Sequence, residues 1–159
     1  MPTEGKIDVH VHHIPPAYRR AAEAVDTTRA ALNLVFSHTL ERFPRIRFIL
    51  SHGGGVLPFV AWRIANSPSF PGWDPDHIWT LLRRFWIDTA LSCAPSAIAS
   101  WKEAIPLEQV VFGSDWPFAP PQEVAREVAL VEGSALLTKD EITRIARTNA
   151  LTLFPRFGA

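Results

Sequence analysis

The chain contains one cysteine, Cys93, so no disulfide forms within it and a reducing, cytoplasmic compartment is the expectation. It has no excess of either charge. Its 16 Lys and Arg offset 16 Asp and Glu, which excludes the basic footprint of a nucleic-acid binder and the pull toward an anionic membrane. No apolar run approaches the ~20 residues that a membrane helix requires. The opening Met1-Pro2-Thr3-Glu4 has no apolar segment after it, so no signal peptide is expected. Internal repeats and low-complexity stretches are absent too. What remains is a chain of 159 residues, 47% hydrophobic and 20% charged, which suits one folded domain over 1–159. Its 14 prolines punctuate many short connections, and its six tryptophans point to a substantial core or an interface.

Four runs rich in Ile, Val and Phe read as strands: Lys6–His13, Arg45–His52, Phe85–Leu91 and Gln109–Asp115. Helical stretches separate them. Asp26 is placed to cap a helix through Phe43, with Leu32, Val35, Phe36, Leu40 and Phe43 on one face, and Pro44 stops it. Pro58 suits the first turn of a short helix to Asn66. Asp74 caps Pro75 to Arg84. Further helices are expected from Ser96 to Ile105 and from Pro121 to Glu132. Thr138 and Glu141 form a capping box for a last helix to about Asn149. Strands alternating with helices imply βα units and a mainly parallel sheet.

Three strand ends carry chemistry. In Asp8-Val9-His10-Val11-His12-His13, alternation along a strand puts His10 and His12 on one side and Ile7, Val9 and Val11 on the other. Two imidazoles so spaced suit one metal ion; a solvated polar strand end is the other reading. His13 is left to structure. The second run, Phe48-Ile49-Leu50-Ser51-His52-Gly53-Gly54-Gly55, ends in a histidine and a flexible turn. His52 there can transfer protons, bind metal or simply hold the turn. The glycines lack the Lys-Ser/Thr of a phosphate loop and the spacing of a dinucleotide fingerprint. The third run, Val110-Val111-Phe112-Gly113-Ser114-Asp115-Trp116-Pro117, delivers a carboxylate at a strand's C-terminal end, where functional residues gather in parallel βα folds. Asp115 suits a metal ligand that also accepts a proton, or a turn residue. Trp116 walls a pocket or packs. Asp88, inside a strand, calls for hydrogen-bond partners and reads as structural. His38 and His77 read as surface or capping residues, and Cys93 as a packed one.

In this order the motifs resemble the amidohydrolase-related family that includes aminocarboxymuconate semialdehyde, γ-resorcylate and 6-methylsalicylate decarboxylases. The resemblance is carried by the Asp-x-His-x-His strand, Asp26-Thr27-Thr28, Glu41-Arg42-Phe43-Pro44 and the His52 glycine turn. Asp88-Thr89-Ala90, Phe112-Gly113-Ser114-Asp115-Trp116-Pro117-Phe118 and Asn149-Ala150…Leu153-Phe154-Pro155 complete it. It covers nearly the whole chain, and its glycine turn and Gly-Ser-Asp-Trp-Pro strand are its specific parts.

The resemblance implies a TIM-barrel ancestor with one divalent metal, most often zinc, with manganese the other candidate. Its ligands would be His10, His12, Asp115 and a histidine of a fifth strand. His52 would be the catalytic acid/base. Arg63 would sit in a dimer interface and reach a substrate carboxylate in the partner subunit. The family's second to fifth strands, however, have no counterpart near residues 24–25. The expected fold is therefore a shortened half-barrel of the α/β class, with parallel strands in the order 6-7-8-1 and flanking helices. The crossover over residues 14–26 spans up to ~40 Å at about 3.3 Å per residue, enough to cross the sheet. Two open sheet edges and an uncovered inner face favour a homodimer or larger assembly. The expected activity is non-oxidative decarboxylation of a small aromatic or unsaturated carboxylic acid, with hydrolysis of a lactone, ester or amide, or a non-catalytic remnant, as alternatives.

Overall fold

A computed structural model describes residues 23–67 and 72–158. Within them three of the four expected strands lie side by side and parallel: β1 (Ile49–Leu50), β2 (Trp86–Asp88) and β3 (Val110–Val111), in that order. The strand expected at Lys6–His13, and with it the fourth place in the order 6-7-8-1, lies outside the described residues. Leu50 pairs with Ile87 and Ile87 with Val110, while Ile49 faces Trp86 and Asp88 faces Val111. Because side chains alternate across a strand, this register sorts the sheet into two faces. Leu50, Ile87 and Val110 join the main core with Leu57, Leu82, Ile98, Trp101 and Ile145 from the helices. Trp86 and Val111 face the other way and pack with Ala150, Ile49 and Leu153. Full burial of each such Leu or Ile is worth about 1.5–3 kcal/mol.

The strands are shorter than the apolar runs that produce them. Trp86 N–H donates to the Phe48 carbonyl at 2.9 Å and Thr89 N–H to the Val111 carbonyl at 3.0 Å, so pairing extends slightly past the assigned ends. Beyond that, the chain leaves extended backbone at His52, Leu91 and Asp115, whose φ values are 55°, 51° and 56°.

The helices follow the caps that the sequence offers. Among the described residues α1 covers Glu23–Phe36 and α2 covers Thr39–Arg42; α3 is Leu57–Ala65, α4 Pro75–Leu82, α5 Pro95–Ala104 and α6 Pro121–Glu132. Asp74 caps α4 by accepting from Asp76 N–H at 3.2 Å. The single helix expected from Asp26 to Phe43 is two. His38 takes a left-handed conformation (φ 58°) between them, and Asp26 lies inside α1 rather than at its cap. The break keeps Leu40 buried and leaves Phe43 exposed.

The last helix runs longer than expected, from α7 (Lys139–Thr143) through a π-turn at Arg144–Thr148 into α8 (Asn149–Leu153). Thr138 and Glu141 form the expected reciprocal cap. The π-turn has a visible use. Asn149 N–H bonds back to the Arg144 carbonyl, five residues away. The Ile145 carbonyl instead accepts from Phe112 N–H at 3.0 Å, just past β3. Asn149 Nδ2 donates to the carbonyls of Leu107 and Val110 at 2.8 and 2.7 Å. The closing Asn-Ala motif is thus a clasp on β3, the strand that leads to Asp115.

Candidate functional site

In a parallel sheet all C-terminal strand ends share one rim, and the last residue of β2 and the turns after β1 and β3 bring Asp88, His52 and Asp115 to it. All three are buried, with Asp88 2% and Asp115 6% exposed. His52 and Asp115 are both left-handed, as is Leu91. For a residue with a Cβ that conformation costs roughly 1–2 kcal/mol, and it persists only where surrounding contacts hold it, most often at functional sites.

Those contacts are specific. Asp88 Oδ1 accepts from the backbone N–H of His52 at 2.9 Å and of Ala90 at 3.1 Å. The Ala90 carbonyl lies 3.3 Å from His52 Nδ1. A carbonyl only accepts, so Nδ1 carries the proton of the neutral ring. The next junction is tied by Thr89, whose hydroxyl accepts from Gly113 N–H at 3.2 Å and donates to the Gly113 carbonyl at 3.4 Å. Ser114 Oγ accepts from Trp116 N–H at 3.2 Å, and the Asp115 carbonyl accepts from Ala119 N–H at 2.8 Å. The Trp116–Pro117 peptide is cis. Thr28 on α1 closes the far side of the glycine turn: its hydroxyl accepts from Val56 N–H at 3.0 Å and donates to the Gly54 carbonyl at 3.5 Å.

The glycine turn is needed sterically. Gly53 has φ +64°, and a Cβ there would stand 2.8 Å from the Ser92 Cβ. Between α3 and α5 a cavity of about 240 Å³ opens, lined by Gly53, Val56, Phe59, Ser92 and Trp101 among others. Its walls are uncharged and include neither His52 nor Asp115, so it is separate from the rim site.

The other expected residues fall as follows. Trp116 and Phe118 are exposed in the loop that holds Asp115, and Leu91 is exposed in the loop after β2. Arg63 is exposed in the last turn of α3, six residues beyond Leu57 and so about 9 Å along the axis at 1.5 Å per residue. It shares that helix with the exposed Phe59 and Trp62. His38 and His77 lie on the surface and both contact Glu41, at 2.6 and 3.1 Å. Bonding to His38 foremost, against some desolvation, holds the Glu41 carboxyl below its ordinary value. Cys93 is packed in the core, as expected.

Sequence reading missed Glu127 of α6. It is 4% exposed, and its Oε1 accepts from Leu91 N–H at 2.9 Å. Its position four residues before the buried Val131 was the available signal: a carboxylate on the apolar stripe of an amphipathic helix.

His10 and His12 lie outside the described residues, and among the described residues no group of three His, Cys, Asp or Glu forms a metal site. Asp115 itself, a buried carboxylate in the turn after β3, is an oxygen donor of the type that a hard divalent ion takes.

Residues 5–156 match the Amidohydrolase family. The chain is 33% identical to the decarboxylase yanB of Aspergillus niger over 138 residues, which are 83% of this chain and 38% of that protein. It is 34% identical to the 6-methylsalicylic acid decarboxylase of Penicillium expansum, over 82% of this chain and 41% of that protein. In structure it resembles the dihydroxybenzoic acid decarboxylase of Polaromonas sp. JS666, solved with manganese and 2-nitroresorcinol, with a TM-score of 0.73 at 22% identity. That likeness covers 94% of this chain and 49% of the other. The chain therefore spans less than half the length of these relatives.

Proposed function

The chain belongs to the amidohydrolase family, and from that premise we propose that it carries the catalytic rim of a metal-dependent decarboxylase acting on a small aromatic carboxylic acid. The observation that carries this reading is the pair of left-handed, buried residues His52 and Asp115, which follow β1 and β3, the two strands that flank β2. The names of the relatives supply the substrate class, since several are decarboxylases of 6-methylsalicylic or γ-resorcylic acid. Exposed Leu91, Trp116 and Phe118 at the rim offer apolar surface suited to an aromatic ring.

His10, His12 and Asp115 would hold the divalent ion, zinc first and manganese as the alternative, both suited to imidazole and carboxylate ligands. When bound, such an ion supplies Lewis-acid stabilisation of negative charge on the substrate's oxygens. The chain's own work is proton delivery. With Nδ1 directed at the Ala90 carbonyl, the transferable proton of a protonated His52 is the one on Nε2. It passes to the ring carbon that bears the carboxylate. The bond from that carbon to the carboxyl carbon then breaks, its electron pair stays with the ring, and CO2 leaves.

Arg63 is exposed in the last turn of α3, and in this reading it serves a second copy of the chain. It would meet the carboxylate of a substrate bound in a second copy, docked on the α3 face where Phe59 is 84% and Trp62 69% exposed. The half-barrel order 6-7-8-1 would place the Lys6–His13 strand beside β3. A reducing, cytoplasmic setting suits the buried free thiol of Cys93.

The test is direct. Purified chain supplied with zinc or manganese is incubated with 6-methylsalicylate and with 2,6-dihydroxybenzoate, and CO2 release is followed. Release from at least one acid, abolished by His52→Gln, is expected. A folded, metal-loaded chain that liberates CO2 from neither sinks the proposal.

A further inference from the structure

We infer that Asp88 is a positioning residue for His52, setting both the backbone of the glycine turn and the tautomer of the histidine ring. The inference rests on the reading of His52 as the proton donor. Asp88 touches neither substrate nor metal in it, and acts only through His52.

The geometry is a closed circuit. Asp88 stands in β2, on the face of the sheet shared with Trp86, and is 2% exposed. One of its oxygens, Oδ1, receives two backbone N–H groups, from His52 at 2.9 Å and Ala90 at 3.1 Å. The first fixes the left-handed backbone of His52 (φ 55°), and so the direction in which its Cβ leaves the chain. The second fixes the Ala90 peptide, whose carbonyl meets His52 Nδ1 at 3.3 Å. One carboxylate thus holds a histidine from both ends: its main chain directly, its ring through Ala90. An ionised acceptor is suited to this, because bonds to a charged oxygen are shorter and roughly twice as strong as neutral ones.

The consequence is chemical. A ring whose Nδ1–H is committed to a carbonyl presents Nε2 to the rim, and one whose Nδ1–H is released is free to take either tautomer. The second orientation presents a proton already placed on Nε2 and an idle lone pair on Nδ1, so the donor no longer cycles through a single nitrogen. Asp88 therefore governs turnover and leaves substrate binding alone.

The experiment uses the full chain labelled with 15N-histidine, and long-range 1H–15N spectra that assign the His52 tautomer without reference to activity. Wild type is expected to show the Nδ1–H form. Asp88→Asn, which keeps the shape and removes the charge, is expected to give a mixture of tautomers. Turnover on 6-methylsalicylate falls at least tenfold with KM changed less than twofold. A wild-type His52 in the Nε2–H form overturns the inference, and so does an Asp88→Asn chain with a pure Nδ1–H ring. Should Asp88→Asn fail to fold, amide exchange on the wild type decides: protected His52 and Ala90 N–H groups support the circuit, and rapid exchange at His52 overturns it. A parallel His52→Gln arm separates the two readings. If that variant turns over like wild type, the proton-donor assignment has failed and the role of Asp88 with it. If it is dead while Asp88→Asn is fully active, only the positioning role has failed.

Discussion

The backbone N–H of Leu91 donates to the buried carboxylate of Glu127 at 2.9 Å. Leu91 is left-handed and Glu127 comes from the helix of the following βα unit. The same arrangement holds one unit earlier, where Asp88 of β2 receives the N–H of left-handed His52 after β1. Each of these two rim turns is pinned by a carboxylate supplied by the next unit along. Removing the acceptor from a buried N–H costs about 1–3 kcal/mol. Glu127→Ala is therefore expected to lose stability in that range in urea unfolding, and Glu127→Gln, which keeps an amide oxygen, distinctly less. Equal losses in the two variants would show that the bond to Leu91 is not what Glu127 contributes.

The glycine turn makes a sharper demand on sequence. Gly53→Ala adds a left-handed penalty of about 1–2 kcal/mol and a Cβ that would lie 2.8 Å from Ser92 Cβ and 2.9 Å from Ser92 Oγ. Gly72, with φ +87° and nothing within 4 Å, would bear the backbone strain alone. Thermal melts should rank Gly53→Ala well below Gly72→Ala. Adding Ser92→Gly to Gly53→Ala should recover the steric part and leave the strain. A double variant no better than the single one would refute the clash.

Much of this fold was legible because its boundaries are chemical. Pro121–Glu132, the Asp74 cap and the Thr138–Glu141 box are local signals, and the structure places helices at each. His52 and Asp115 were legible because each follows an apolar run and precedes turn residues. What local sequence does not encode is a break that leaves periodicity intact. The apolar positions from Leu32 to Phe43 continue through His38, yet the helix stops there. The long-range bonds were equally invisible. Nothing near Glu127 in sequence names Leu91, and nothing near Ile145 announces that its carbonyl serves Phe112. The His10 and His12 pair remains a sequence expectation, since both lie outside the described residues.

Cys93 provides a pH-dependent probe. Burial first, then the Glu127 carboxylate and least of all Asp88, push its thiol from 9.0 up to about 12, against opposing bonds from Ser92 and Thr89. Its Sγ donates to the Thr89 carbonyl at 3.1 Å. The unfolded chain loses this proton at lower pH than the native one. The stability it contributes is complete below pH 9 and declines as pH rises from 9 toward about 12. Native protein at pH 8 should resist a thiol reagent until it unfolds, because the thiolate is the reactive form. Cys93→Ala should flatten the alkaline arm of the stability curve. Rapid labelling of the native state at pH 8 would contradict the burial.

Thr138 tests the capping box of α7. It accepts from Glu141 N–H at 3.2 Å while Glu141 accepts from Thr138 N–H at 2.7 Å. Thr138→Ala should lose about 1 kcal/mol, and Thr138→Ser should retain most of it. The Thr138 N–H, and then Lys102, hold the Glu141 carboxyl below its ordinary value of 4.5. That contribution is present above pH 4.5 and lost as pH falls through the lower native value, so acid melts of Glu141→Gln and wild type should converge.

The metal assignment is the prediction on which the proposed chemistry turns, and it can be read without turnover. Three protein ligands suffice for a catalytic zinc shell, so the proposed His10, His12 and Asp115 would form a minimal donor set by themselves. The set joins the start of the chain to the end of its third described strand, so bound metal should also stabilise the native state, by about 2.7 kcal/mol at a hundredfold excess over Kd. Wild type dialysed against zinc should carry one ion per chain by elemental analysis and melt higher with metal than after chelation. His10→Ala and Asp115→Asn should each bind at least tenfold more weakly, about 1.4 kcal/mol, and lose the metal-dependent rise in Tm. Arg63→Ala, far down α3, should keep both the ion and the rise in melting temperature. Full metal content in Asp115→Asn would move the centre elsewhere and leave the left-handed turn at residue 115 with a purely structural explanation.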